Sequence, residues 1–192
     1  MTQRYFSNMT SKVLVASPFA MRGTMFHESV IYVLEHRPEG AIGFIVNKPI
    51  INATPLSEVV KKLDLDIDAD NLKLAPHVGG PMTEKGGFFL HSSEYTKNIV
   101  STHAGSGLSV SSSDVLLRDI AKGVGPEYAL FVLGYTFWEE GEMELEFENN
   151  LWIATEANRE LIFSPDSGLK WGKTFQNLGI SSGGFAPMMA NC

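Results

Sequence analysis

The 192-residue sequence has a single cysteine, Cys192, so no disulfide can form within the chain. A fold of this size must therefore be held by its core, and a reducing cytoplasm is the expected setting. No apolar run approaches the ~18 residues of a membrane-spanning helix. Met1 to Lys12 has no apolar stretch of the kind a secretory leader needs. Basic residues are also scarce. Fifteen Lys and Arg stand against 22 Asp and Glu, a net charge of −7. The one adjacent basic pair, Lys61-Lys62, runs into Asp64, Asp66, Asp68 and Asp70. Phosphate-gripping proteins depend on clustered cations, so direct nucleic-acid binding is disfavoured.

Catalytic signatures are missing as well. Gly105-Ser106-Gly107 lacks the lysine-bearing frame of a phosphate loop and the third glycine of a dinucleotide fingerprint. Gly107-Leu108-Ser109-Val110-Ser111 lacks the second glycine of a nucleophile elbow. The histidines are His27, His36, His77, His91 and His103. None has the His-Glu-x-x-His spacing that places two ligands on one helix face, and there is no cysteine cluster, so no metal and no cofactor are expected.

What is present is an ordinary globular composition, 44% hydrophobic and 10% aromatic. It is enough for one sizeable core. Val13 to Ala16, Ser29 to Glu35 and Ala41 to Val46 read as strands, the last two joined by the turn residues Pro38-Glu39-Gly40. Thr54-Pro55 opens a helix with Leu56, Val59, Val60 and Leu63 on one face. Residues 64–73 read as an acidic loop. Val78 leads into the sharp Gly79-Gly80-Pro81, and Phe88 to His91 is a buried strand. Asn98 to Thr102 and Leu108 to Ser111 follow as strands.

Ser113 caps a helix over 114–122, and Tyr128 to Gly134 is a central strand. In 142–148 glutamates alternate with Met143, Leu145 and Phe147, the period of a strand. Glutamate favours helices, and Asn149-Asn150 reads as a stop, so a helix is expected. Leu151 to Thr155 and Glu160 to Phe163 read as a late strand pair. Asp166 or Ser167 caps a final helix. The expected divisions are a tail at 1–11, one domain at 12–180 and a flexible tail at 181–192. Strands and helices without strict alternation indicate the α+β class.

Several segments together carry a resemblance. They are Val13 to Pro18, Ser29 to His36, Gly40 to Pro49, Gly79-Gly80-Pro81 with Gly87 to His91, and Ser113 to Leu116. Gly134-Tyr135, Trp138, Glu146 and Asn149 to Trp152 complete the set. In this order and spacing the chain resembles the bacterial YqgE/AlgH family. The resemblance implies a single domain with a bifurcated, mainly antiparallel sheet, partly closed into a small barrel and surrounded by helices. It also implies a regulator of transcription with no established activity and no catalytic residues to carry over.

The ligand-binding candidates are His36, Asn47, Lys48, Gly79, Gly80, His91 and Trp138. His36 and His91 end apolar strands, and histidine titrates near neutrality. Each also fits a side chain that satisfies nearby backbone. Asn47 and Lys48 offer an amide and an ammonium at a strand end, or a turn-stabilising pair. Gly79 and Gly80 let backbone approach a ligand, or make a tight turn. Trp138 stacks on a partner or covers the core.

The first expectation is a non-enzymatic regulatory or adaptor domain that binds a protein or small molecule, with His36, Asn47, Gly79, Gly80 and His91 bordering a groove. The alternative is a hydrolase built around His36 or His91. Direct action on DNA ranks last.

Overall fold

The computed structural model describes residues 7–54, 56–62, 72, 74–97, 102–104 and 107–180. Among the described residues nine strands run in the order β1 (Lys12–Ala16), β2 (Val30–Arg37), β3 (Gly40–Ile45), β4 (His77–Val78), β5 (Met82–Ser92), β6 (Thr102–Ala104), β7 (Leu108–Ser111), β8 (Ala129–Glu139) and β9 (Trp152–Glu156). The helices are α1 (Leu56–Lys62), α2 (Asp114–Ala121), α3 (Glu142–Glu148), α4 (Arg159–Ile162) and α5 (Lys170–Asn177), with a 3-10 turn at Ser167–Leu169 before α5. The sheet runs β6-β7-β5-β8-β3-β2-β1-β9, with β4 parallel to β8 and every other pairing antiparallel. It curls into a half-barrel, an α+β fold in a single domain.

The register explains why the strands read as continuous apolar runs. Val13, Val15, Val30, Tyr32, Phe44, Leu90, Val110, Leu130 and Val132 share one face and one cluster with Ile162 of α4 and Phe175 of α5. The opposite face is covered in two pieces. Leu14, Ile31, Val33, Ile45, Trp138 and Trp152 pack with Met143 of α3. Phe89 packs with Leu56 and Val60 of α1 and with Leu116, Leu117 and Ala121 of α2. Strands covered on both sides lose the polar alternation of a half-exposed sheet.

The bifurcation has a local cause. Residues Ala129–Tyr135 of β8 pair with β5, and Thr136–Glu139 pair with β3. Into the fork between them comes β4. It pairs with Val132 and Leu133 on one side, while the Ile45 N–H reaches Gly79 O at 2.8 Å and the Val78 N–H reaches Lys48 O at 2.8 Å on the other.

The expected helix over 142–148 is present, as is the Ser113 cap, whose Oγ accepts from Val115 N–H. Two expectations are corrected. Residues 160–163 are not a strand. Asn158 caps the short helix α4 instead, and β9 pairs with β1. Ser167 and Asp166 make no side-chain cap, because Ser167 Oγ is committed to His77. Pro55, the greater part of 63–73, residues 98–101 and the 181–192 tail lie outside the described residues, so the reading of those segments does too. Within the expected N-terminal tail, Met9 is buried and Asn8 Nδ2 donates to His36 O.

Candidate ligand cleft

Asn47 is where the site begins. It follows β3, is buried, and spends both ends of its amide on the chain entering β2. Oδ1 accepts from Val30 N–H at 2.8 Å, and Nδ2 donates to Glu28 O at 2.9 Å. The loop it fastens holds Glu28 at φ +53°, a left-handed conformation uncommon for a non-glycine residue. His27, one residue earlier, turns its carbonyl to the next side chain along, and Lys48 Nζ donates to it at 2.6 Å.

Lys48 lines a cleft of about 510 Å³ together with Thr24, His27, Glu28, Asn47, Gly168 and Trp171. Burial draws the Lys48 pKa below its ordinary 10.5, and the Glu28 carboxylate opposes the shift. A partly desolvated ammonium binds an anion more strongly than one in open water does. The His27 Nδ1 atom is buried with no hydrogen-bond partner. Trp171 is fixed by its indole N–H, which donates to Ala16 O at 2.8 Å, and its ring packs on Phe175 with centroids 4.7 Å apart. The cleft thus joins a cation and an aromatic wall, with Glu28 also on its lining. The cation and the indole together suit a small anionic ligand with a flat apolar part.

Of the seven sequence candidates, Asn47 and Lys48 meet at this cleft. Gly79 and Gly80 form the backbone seam behind it. A Cβ on Gly79 would lie 2.2 Å from Gly134 O, and one on Gly80 would lie 2.2 Å from the Tyr135 carbonyl carbon. These glycines let one strand cross another.

His36 and Trp138 belong to the packing under α3. His36 Nδ1 accepts from Met9 N–H at 3.2 Å, so the proton resides on Nε2, which donates to Glu144 at 3.1 Å. The Trp138 indole N–H donates to Glu146 at 2.7 Å.

His91 is fully buried on the α2 side, where its Nδ1–H donates to Ser92 O at 3.0 Å. Its Nε2 has no partner, and neither do the Oγ atoms of Ser109, its cross-strand partner, and Ser111. Burial lowers the His91 pKa from 6.5 and keeps the ring neutral.

His27 and Trp171 carried no motif that would have singled them out. His77 carried none either, and Ser167 stands only in a Ser-x-x-Lys spacing with Lys170; the structure brings His77 and Ser167 to 2.8 Å. Among the described residues no group of three or more His, Cys, Asp or Glu could hold a metal ion, and no helix is long and apolar enough to cross a membrane.

Comparison with known proteins decides the family: residues 13–183 match the AlgH-like family model. The chain belongs to the AlgH-like family. It is 39% identical to a UPF0301 protein of Rickettsia akari over 191 residues, with 100% of both chains covered. The identity to a UPF0301 protein of Rickettsia typhi is 37%, again over the full length of both. The solution structure of the AlgH protein from Pseudomonas aeruginosa superposes with a TM-score of 0.74 at 29% identity, covering 100% of each chain. A Corynebacterium diphtheriae protein shares the fold at a TM-score of 0.67 and 18% identity, over 94% of this chain and 88% of that one. The half-barrel is thus the AlgH-like fold, in agreement with the family resemblance of the sequence.

Proposed function

We propose that this AlgH-like chain is a small-molecule-binding regulatory domain of the cytoplasm, and that its ligand is an organic anion held in the Lys48 cleft. The observation that carries the reading is the position of Lys48 Nζ. It is anchored by one hydrogen bond to His27 O, partly stripped of water, and aligned along one cleft with Trp171. A carboxylate or phosphate would take the remaining N–H bonds of Lys48, and the organic part would lie against the indole. The ligand would act on a protein partner through the Glu28-bearing loop, which Asn47 ties to both β2 and β3. Net charge −7 supports an indirect route to any effect on transcription over contact with DNA.

Titration of ¹⁵N-labelled protein with benzoate and with phenyl phosphate tests the reading. Saturable shifts at the Trp171 indole N–H and the Gly168 amide are expected. In K48M they should weaken by a factor of ten or more. Shifts that persist unchanged in K48M, or no saturable response in the millimolar range, would overturn it.

A further inference from the structure

Ser167 and His77 are 90 residues apart in sequence, and their side chains meet at Oγ···Nε2 2.8 Å. The other ring nitrogen, Nδ1, lies 2.9 Å from Ala75 O. A carbonyl only accepts, so Nδ1 carries the proton. Nε2 is then an acceptor, and the Ser167 hydroxyl is the donor. A nucleophile, a base within hydrogen-bond reach and a third group that fixes the tautomer of the base make the arrangement that activates serine in acyl transfer. A backbone carbonyl here does the orienting that a carboxylate does elsewhere.

The surroundings favour the same chemistry. His77 is held in the sheet fork by β4, and burial draws its pKa below 6.5, the bond to Ala75 opposing the shift and the Lys170 charge adding to it, so the ring is neutral near pH 7 and its Nε2 is free of a proton. Ser167 is 8% exposed and His77 6%, so the hydrogen-bonded pair is shielded from bulk water. The next residue, Gly168, lines the Lys48 cleft, and a Cβ there would meet nothing within 4 Å. Lys170 follows in the Ser-x-x-Lys spacing used by one class of acylating serine enzymes. Its Nζ donates to Val46 O and Ile162 O, so it is not the base for Ser167. His77 holds that role.

We propose that Ser167 is a nucleophile with His77 as its general base, and that it accepts an acyl group from a carboxylic ester. The anionic preference of that ester rests on the Lys48 reading above. Ser167 Oγ bonds to the ester carbonyl carbon as its proton passes to His77 Nε2. The bond from carbon to the leaving oxygen then breaks, and that oxygen takes the proton from His77. Water, deprotonated by the same nitrogen, attacks the acyl carbon; the bond from carbon to Ser167 Oγ breaks, Oγ recovers the proton from His77, and a carboxylic acid is released. The net reaction is ester plus water to acid plus alcohol.

The test uses the full chain with p-nitrophenyl acetate, p-nitrophenyl succinate and a fluorophosphonate, followed by intact mass and peptide mapping. One acyl or phosphonyl group on Ser167 is expected, absent in S167A and formed at least a hundredfold more slowly in H77Q. S167A removes a single oxygen and remains an informative control should H77Q fold poorly. No adduct on Ser167 with any of the three reagents, or equal rates in H77Q, would overturn the proposal. Adducts on Ser167 with no preference for the succinyl ester would leave the nucleophile standing and remove the anion cleft.

Discussion

Trp138 and Trp152 donate their indole N–H groups to the same oxygen, Oε2 of Glu146, at 2.7 and 2.6 Å. Their rings meet edge to face with centroids 6.3 Å apart. One carboxylate on α3 thus ties together β8 and β9, strands that pair with different neighbours in the sheet. Removing it leaves two N–H groups without an acceptor. E146A should lower the unfolding free energy by about 2–4 kcal/mol, because hydrogen bonds to a charged acceptor are each worth about 1.5–3. E146Q retains a carbonyl oxygen and should recover at least half of the loss. Urea unfolding followed by tryptophan fluorescence checks both.

His36 fastens two segments that are remote in sequence. It accepts from Met9 N–H and donates to Glu144, while its own backbone N–H donates to Thr10 Oγ1 at 2.9 Å. In H36A the Met9 amide should exchange with solvent at least tenfold faster, and binding of benzoate in the Lys48 cleft should be unchanged. Hydrogen exchange read by NMR, with a parallel titration, separates this fastening role from a ligand-binding one.

The glycines divide by what surrounds them. G80A would drive a Cβ into the Tyr135 backbone, which cannot retreat, so a loss of stability on the order of 3 kcal/mol or more is expected. G86A meets nothing within 4 Å and is penalised for its φ of +77° alone, about 1–2 kcal/mol. Thermal or urea unfolding of the two variants distinguishes a backbone crossing from a turn.

Stability should rise with pH on both sides of neutrality. Burial draws the Lys170 pKa from 10.5 to about 8. Between those values the unfolded chain keeps a proton that the native chain has released, so unfolding becomes harder as pH climbs from about 8 toward 10. Lys48, also lowered by burial, acts in the same sense. In acid, His77 and His91, both held below 6.5, refuse protons that the unfolded chain binds, so stability falls as pH drops below about 6.5. Tyr95, pushed upward by burial and by Asp119, works against the alkaline gain above about pH 10. Urea midpoints from pH 5 to 10 should trace this curve, and K170M should flatten its alkaline limb.

Much of the fold was legible because its signals are local. The hairpin of β2 and β3, the Ser113 cap and the glutamate-rich α3 each rest on residues a few positions apart. The helix at 159–162 was missed because Leu161, Ile162 and Phe163 make an apolar run too short to show a period. The cleft was only half legible. Asn47 and Lys48 sit at a strand end, where a polar pair stands out. His27, Trp171 and Gly168 join them only through tertiary pairing, in which Asn47 fastens the loop before β2 and Trp171 reaches Ala16. The histidines that drew attention, His36 and His91, end apolar strands. His77 follows Pro76 in an undistinguished stretch, and nothing local announces that Ser167 is its neighbour.

Lys48 faces two ways. Its carbonyl accepts from Val78 and closes the sheet fork, while its ammonium donates to His27 O and the residue lines the cleft. A tug on the side chain therefore strains the joint where the two halves of the sheet part, and a guest molecule would be felt at Gly79 and along β8. In such a hinge the lock and the handle are one residue, and the protection of the Val78 amide becomes a gauge of whether anything is bound.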